Sequence, residues 1–345
     1  MNAIDSINKK IEDFIADSNV TDVIIHGNKK VFVNGEGGFS ERDGLDCSDS
    51  DLEDWIKALV EKRGRLFDPG KDLLIDISLE SGHRVNVVRA PVSPVAPIIC
   101  IRSLTRSFSI DDLIRLGMIS EGAADFIKAC VLEKFNIFIF GGTGSGKTTF
   151  LNTLANLIPL DERIVSIEDT LEIRIPHANW SRLEAFEERA SDGKVNMRNL
   201  VINSLRMLPQ RLIIGECRGP EVYDMIQAAN TGHKGMMTTL HANSSREALT
   251  RLENLCLLVS NLNNMKPIRS LLTGAVDILV HIVNKKGKRY VNEIAQVTGM
   301  EGDIISLGSV FKYNEMTNEL KPTGFIPTFW HEVLKKYSAF ENIFR

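Results

Sequence analysis

The sequence predicts an α/β fold in two parts, a small mixed domain and then a parallel sheet interleaved with helices. Three observations carry this. From Leu113 onward, short apolar strands alternate with helical stretches, the pattern of a parallel sheet. The turn Gly141-Gly142-Thr143-Gly144-Ser145-Gly146-Lys147-Thr148 directly follows one such strand and opens a helix. Before Leu113 the texture differs, with paired short strands separated by turn residues. A length of 345 residues suits two domains at roughly 100–200 residues each.

Residues 1–16 read as an amphipathic helix carrying Asp5, Lys9, Lys10, Glu12 and Asp13, without the apolar centre of a secretory signal. Val23-Ile24-Ile25 and Val31-Phe32-Val33 are strands flanking a Gly27-Asn28 turn. Over 49–63 the spacing predicts a helix with Leu52, Trp55, Ile56, Leu59 and Val60 on one face. Strands over 73–79 and 84–88 are joined by a Ser81-Gly82 turn, and a proline-rich stretch leads to a strand over 98–102. Residues 1–106 thus form the first domain, with a linker beginning at Leu104 and running over 107–112. In the second domain, 113–300, helices are expected over 121–133, 147–157, 196–207, 220–230 and 245–259. Strands fall over 136–140, 163–167 and 212–214, with 236–240 the last parallel one. Past Pro267 come a short helix, a hairpin through 284–289, and a C-terminal tail over 301–345 with strand character.

Apolar residues at 43% and charged residues at 25% exclude a disordered or collagen-like chain. The five cysteines lie at least 30 residues apart, which excludes a CxxC motif and fits buried thiols in a reducing compartment. A net charge of −4 argues against a dedicated nucleic-acid binder. No run approaches the ~20 apolar residues of a transmembrane helix.

The glycine-rich turn satisfies G-x-x-x-x-G-K-[ST]. Its glycines let backbone N–H groups turn inward around a phosphate, and the helix start adds its positive dipole end. Gly141, Gly142, Thr143, Gly144, Ser145, Gly146, Lys147, Thr148 and Thr149 are the expected ATP-binding residues. Lys147 would reach the β- and γ-phosphates, and Thr148 would hold Mg²⁺. Glu216 ends the apolar strand Leu212-Ile213-Ile214, and ligands bind at strand C-terminal ends in such sheets. A carboxylate there can orient water or activate it. Glu168, Asp169 and Glu172 end the neighbouring strand; a Mg²⁺ or water-positioning role is expected among them, and the spacing does not choose between them. His233 and His241 lie either side of the 236–240 strand, and His241 leaves it at the same edge as Glu216. Arginines that could meet phosphoryl charge are Arg206, Arg211 and Arg218 in the second domain, and Arg84, Arg89 and Arg102 in the first. Lys285-Lys286-Gly287-Lys288-Arg289 is a basic hairpin tip, read as a solvated turn.

With these residues assembled, the chain resembles the bacterial type II/IV secretion ATPase superfamily over nearly its whole length. The resemblance rests on the Walker A loop at 141–148, the acidic box at 168–172, the Walker B strand with Gly215-Glu216-Cys217-Arg218-Gly219, and a His box. That box holds Asn230-Thr231-Gly232-His233 and Thr239-Leu240-His241-Ala242-Asn243. Within the superfamily it looks similar to the tight-adherence (Flp-type, CpaF-like) pilus ATPases. Val20-Thr21-Asp22-Val23-Ile24-Ile25, Thr298-Gly299-Met300-Glu301-Gly302-Asp303 and Pro322-Thr323-Gly324-Phe325-Ile326-Pro327 carry that likeness.

The resemblance implies a small PAS-like N-terminal α/β domain before a RecA-like P-loop ATPase domain. It also implies ATP and Mg²⁺, a cytoplasmic homohexamer, and peripheral attachment to an inner-membrane platform protein, with no direct nucleic-acid client. By position it makes Glu216 the Walker B carboxylate, Glu172 the distal acidic-box carboxylate and His241 the His-box residue. Arg102 would be an arginine reaching the nucleotide, and Arg206 and Arg218 would flank the Walker B strand. Two competing readings are a type IV secretion or conjugation ATPase with the same chemistry, and a non-catalytic ring ordered by ATP. The chain departs from the family at Leu208 and Gln210, where an arginine and an aspartate are usual, and at Arg89-Ala90-Pro91, where paired prolines are usual. A chain without the long N-terminal extension of many pilus-branch members is also expected.

Overall fold

The computed structural model describes residues 2–17, 19–35, 37–79, 82–103, 107–185, 195–259 and 265–344. Ser81 and residues 104–106, expected in a turn and at the start of the linker, lie outside them. The chain divides into two compact units, Met1–Arg106 with Thr170–Glu172, and Ser107–Asp169 with Ile173–Arg345.

The first unit is a six-stranded antiparallel sheet in the order β3-β2-β1-β6-β5-β4. Its strands are β1 (Asp22–His26), β2 (Lys30–Gly35), β3 (Gly38–Asp43), β4 (Leu74–Ser78), β5 (Arg84–Val88) and β6 (Ile98–Arg102). Alternation sends Val23, Ile25, Val31, Val33, Val85, Val87, Ile99 and Ile101 to one buried face. Against that core pack α1 (Ala3–Ile15), through Ile7 and Ile11, and α2 (Asp49–Lys62), through Leu52, Trp55, Ile56 and Val60. Trp55 Nε1 donates to Asn8 Oδ1 at 2.8 Å, which ties the two helices together. Ser48 and Asp51 form a reciprocal cap at the start of α2. The sequence did not reveal β3, because almost none of its side chains is buried and there is no alternation to read.

The second unit begins with α3 (Ile110–Arg115), which starts inside the stretch expected as linker and runs past its end. Ser109 and Asp112 cap it reciprocally, so the start signal was present in Ser-x-x-Asp. Then come α4 (Glu121–Leu132), β7 (Ile137–Gly141), α5 (Lys147–Ala155), β8 (Ile164–Glu168), β9 (Trp180–Glu184), α6 (Met197–Ser204), β10 (Arg211–Ile214), α7 (Glu221–Asn230), β11 (Met237–Leu240) and α8 (Ser245–Leu257). They are followed by α9 (Met265–Ala275), β12 (Ile278–Lys285), β13 (Lys288–Glu301), β14 (Ile304–Asn314), β15 (Glu319–Pro322) and α10 (Trp330–Lys336). Among the described residues the sheet has nine strands in the order β15-β14-β13-β12-β7-β11-β10-β8-β9. β7 is central and buried on both faces, which explains its unbroken apolar run: Ile137 and Ile139 enter one core, Phe138 and Phe140 the other.

One expectation is corrected, and two further segments are placed. The parallel sheet does not end at β11, because β12 lies parallel to β7 with Ile282 opposite Gly141. Local hairpin chemistry identified the β12–β13 turn but could not show which strand β12 would join. β9, which the sequence did not reveal, pairs parallel with β8; all five of its side chains are only half-buried, so no apolar pattern announced it. Residues 301–345, expected as a tail with strand character, hold β14, β15 and α10. β14 and β15 extend the sheet, while Phe311 and Trp330 pack with Phe126 of α4 at ring-centroid distances of 5.7 and 5.4 Å.

Arg211, one of the arginine candidates, is structural. It is 1% exposed, and its Nε and Nη2 donate to Glu162 at 2.6 and 3.2 Å, with Lys134 at 3.0 Å from the same carboxylate. Burial alone would raise the Glu162 carboxyl; its hydrogen bonds to Arg211 and Lys134 outweigh this and hold it below the ordinary value. Arg211→Met should therefore cost about 3 kcal/mol in denaturant unfolding, because the glutamate keeps only its lysine. Unfolding at wild-type midpoint would show that the pair contributes nothing.

Candidate nucleotide site

The phosphate loop joins β7 to α5. Gly144 and Gly146 hold φ of +69° and +97°, a region that L side chains rarely adopt. Gly141 is required for a different reason: a Cβ there would sit 2.1 Å from the Ile282 carbonyl oxygen of β12 and 2.8 Å from Ser145 Oγ. No side chain caps the start of α5, so its first N–H groups remain available to an anion. Ser145 is buried, and its hydroxyl is an orphaned polar atom inside the loop. Lys147 folds back over the loop, its Nζ donating to the carbonyls of Gly141 at 3.2 Å and Gly142 at 3.0 Å. An uncapped helix start, a loop of glycines and a lysine held over it are the parts that a nucleotide phosphate needs.

Glu216 follows β10, and its backbone is fixed from both neighbouring strands. Gly215 N donates to Ile167 O, Thr239 Oγ1 donates to Gly215 O, and Cys217 N donates to Thr239 O. The carboxylate meets two partners: Arg218 Nη2 donates to Oε2 at 2.7 Å, and His241 Nε2 lies 3.1 Å from Oε1. That second approach lacks hydrogen-bond alignment, so Oε1 is a buried acceptor with no hydrogen-bond partner. On its other side His241 Nδ1 is 3.4 Å from Lys147 Nζ, and Arg218 Nη1 is 3.8 Å from Asp169. The sheet thus brings Lys147, His241, Glu216, Arg218 and Asp169 into one connected chain at the strand ends.

Burial raises the Glu216 carboxyl, but the Arg218 hydrogen bond and the charges of Arg218, His241 and Lys147 outweigh it, leaving it below the ordinary glutamate value. Burial, opposed mainly by Glu216, lowers the Lys147 ammonium. Burial and the Lys147 charge also press His241 below its ordinary 6.5. A neutral imidazole fits this geometry, with Nδ1 accepting from Lys147 and the proton on Nε2, beside Glu216 but not aligned with it. Folding thus disfavours the imidazolium, so the contribution of His241 to stability is complete above its unfolded value of 6.5 and is lost as pH falls from there through its lower folded value. Lys147→Ala should move the His241 midpoint up toward 6.5, as read by histidine NMR of the nucleotide-free chain. An unchanged midpoint would remove Lys147 from the cause.

The other sequence candidates are placed as follows. Glu168 is 2% exposed, and its Oε2 accepts the Ile173 N–H at 2.7 Å, so the carboxylate holds the loop that follows β8. Thr148 and Thr149 are half-buried in the first turn of α5. Glu172 falls in the first unit, 3.7 Å from Arg84. Arg102 is also in that unit, its Nε bonded to Asp22 Oδ1 at 3.1 Å and its side chain 68% exposed. Arg89 is tied to Glu53 and to the carbonyls of Pro69 and Asp72, a structural role. Arg206 is exposed, and His233 lies at the other end of β11 from His241. Sequence reasoning missed Glu221, whose Oε1 accepts the N–H groups of both Arg218 and Gly219 at 2.8 Å and so fixes the turn carrying Arg218. Its signal was a glutamate in the first turn of α7. All five cysteines are free; Cys130, Cys217 and Cys256 are buried, whereas Cys47 and Cys100 are half-buried.

Residues 70–303 match the family model described as type II/IV secretion system protein. The chain belongs to that family. A protein of Mycobacterium tuberculosis (strain H37Rv) named for conjugal transfer is 30% identical over 303 residues, covering 85% of each chain. The type IV secretion system protein VirB11 of Bartonella henselae is 28% identical over 324 residues, 82% of this chain and 90% of that one. Among solved structures, the ATPase DotB of Legionella pneumophila superposes with a TM-score of 0.64 at 20% identity, covering 85% of this chain and 81% of that chain. The pilus retraction motor PilT, solved with bound ADP, gives 0.60 at 17% identity and covers 97% of this chain and 87% of its own. The family fold is accordingly an N-terminal domain followed by a RecA-like ATPase domain. Among the described residues no helix is long and apolar enough to cross a membrane.

Proposed function

We propose that this chain is the ATP-hydrolysing subunit of a homohexameric motor, attached peripherally to the cytoplasmic side of an inner-membrane platform, and that it serves a tight-adherence type pilus. The observation that carries the enzymatic part is the connected chain Lys147–His241–Glu216–Arg218–Asp169 beside the uncapped start of α5. In this reading the N–H groups of residues 144–149 and the Lys147 ammonium hold the β- and γ-phosphates. Mg²⁺, bound with the nucleotide through Thr148, would neutralise phosphate charge, and the two orphaned oxygens, Ser145 Oγ and Glu216 Oε1, suit a polar ligand there. Glu216, ionised and below its ordinary value, is a weak base and a good acceptor, so its part is to orient the attacking water. Arg218 keeps that carboxylate in place and offers its remaining charge to the phosphoryl group. Asp169 steers Arg218, and the burial of Glu168 favours a positioning part rather than direct metal ligation. His241 relays between Lys147 and Glu216. For Arg102 and Glu172 the proposal rests on the sequence resemblance.

The pilus client rests on the segments 20–25, 298–303 and 322–327. A second reading, a conjugation or type IV secretion motor, is favoured by the names of the relatives near 30% identity. Phosphate release from ATP and Mg²⁺ by the purified chain, with its mass in solution, tests the motor. Absence of both nucleotide binding and hydrolysis, or a stable monomer under ATP, would overturn it. Cross-linking in cells then separates the clients: capture of a pilus platform protein supports the first, and capture of a conjugation channel component the second.

A further inference from the structure

The basic hairpin tip between β12 and β13 is not only a solvated turn. Lys286 and Gly287 both have positive φ, +53° and +87°, and make a two-residue turn that sets Asn284 opposite Arg289. Both side chains reach the same acceptor in the phosphate loop. Asn284 Nδ2 donates to the Gly144 carbonyl oxygen at 3.2 Å, and Arg289 Nε donates to it at 3.1 Å. The Asn284 amide is itself oriented, since its Oδ1 accepts the Gly287 N–H at 3.1 Å. The Arg289 stem lies across the loop, with Cδ 3.4 Å from where a Gly146 Cβ would be.

We propose that Asn284 and Arg289 form a latch that sets the phosphate loop in its anion-receiving shape, making Arg289 a further positioning residue for nucleotide binding. This rests on the nucleotide reading of the site. Two physical effects act together. The 144–145 peptide is planar and trans, so holding its carbonyl on the hairpin side fixes the plane that carries the Ser145 N–H, which donates to the Gly142 carbonyl at a long 3.4 Å and can be taken over by an anion. A cationic donor on that oxygen also polarises the peptide and makes the Ser145 N–H a stronger donor to an anion. Meanwhile Gly142, Gly144 and Gly146 give the loop conformational freedom that must be lost on binding; a latch removes part of it beforehand. Arg289 acts through the loop backbone, not through the reacting atoms.

The test measures ATP and ADP affinity and steady-state hydrolysis in the full-length protein. Arg289→Ala should weaken nucleotide binding about fivefold, the discount from a buried charge-assisted bond reflecting the exposed position of the guanidinium. KM should rise with kcat nearly unchanged, since the latch is made with and without the transition state. Asn284→Ala, on the opposite strand, should shift affinity in the same direction. Arg289→Lys keeps the charge but not the Nε–H at that position, and should behave like the alanine variant. Lys286→Ala removes a charge from the same tip without touching the loop and should bind as wild type. Wild-type affinity in Arg289→Ala, full recovery by lysine, or an equal loss in Lys286→Ala would each overturn the latch. Nucleotide-free melting temperatures within ~2 °C of wild type keep the comparison free of unfolding. If the unaltered protein binds no nucleotide, the nucleotide reading itself falls; if it binds and the variants do not differ, only the latch does.

Discussion

Glu216→Gln should lower kcat for ATP hydrolysis by about 10²–10⁴-fold while nucleotide still binds. The amide has nearly the same shape, so the loop, α5 and Lys147 are undisturbed. What disappears is the negative charge that Arg218 and Lys147 stabilise and the acceptor Oε1 that lies buried without a hydrogen bond. Removing a carboxylate near the phosphates also relieves repulsion, so the affinity for ATP should hold or tighten. Lys147→Ala should do the reverse and abolish binding first, because its ammonium stands over the loop carbonyls at 3.0 and 3.2 Å. The checks are single-turnover hydrolysis and equilibrium binding on the same preparations. Near wild-type turnover in Glu216→Gln would remove Glu216 from the reaction.

The second large effect concerns stability. Gly141→Ala should cost about 3 kcal/mol, lowering the melting temperature of the second unit by about 6–12 °C. The new methyl would meet the Ile282 carbonyl oxygen at 2.1 Å and Ser145 Oγ at 2.8 Å, so β12 or the loop must move. Gly142→Ala, one residue on, meets nothing within 4 Å and should stay within about 0.5 kcal/mol of wild type. Scanning calorimetry of the two variants separates a tertiary requirement from mere glycine content. Equal stability for both would show that β7 and β12 are not packed as described.

The individual elements were largely legible because their signals are local. The period of α2 named the face that is buried, and the apolar run of β7 followed by glycines named the loop. Elements without such a signal were not legible: β3 buries almost nothing, and β9 is uniformly half-buried. Among the site residues, Lys147 and Glu216 could be named because a motif and a strand end fix where they must be. Spacing alone could not rank Arg211 and Arg218, since an arginine at a strand start and one after a strand end read alike; only the family resemblance singled out Arg218. Burial beside Glu162 made the first a structural ion pair, while the turn held by Glu221 aimed the second at Glu216.

The sequence by itself determined a two-part α/β chain, a phosphate loop between a strand and a helix, and a carboxylate and a histidine at strand ends. Spacing and residue type suffice for these, because each depends on the conformation of a few consecutive residues. Only the tertiary structure decided that β12 lies beside β7 and that the hairpin after it reaches Gly144. It alone joined Lys147, His241, Glu216 and Arg218, which are separated by up to 94 residues in pairs such as Lys147 and His241. The reason is physical. Which strand a segment joins depends on the apolar area buried by distant helices on both sheet faces, and no local pattern carries that information.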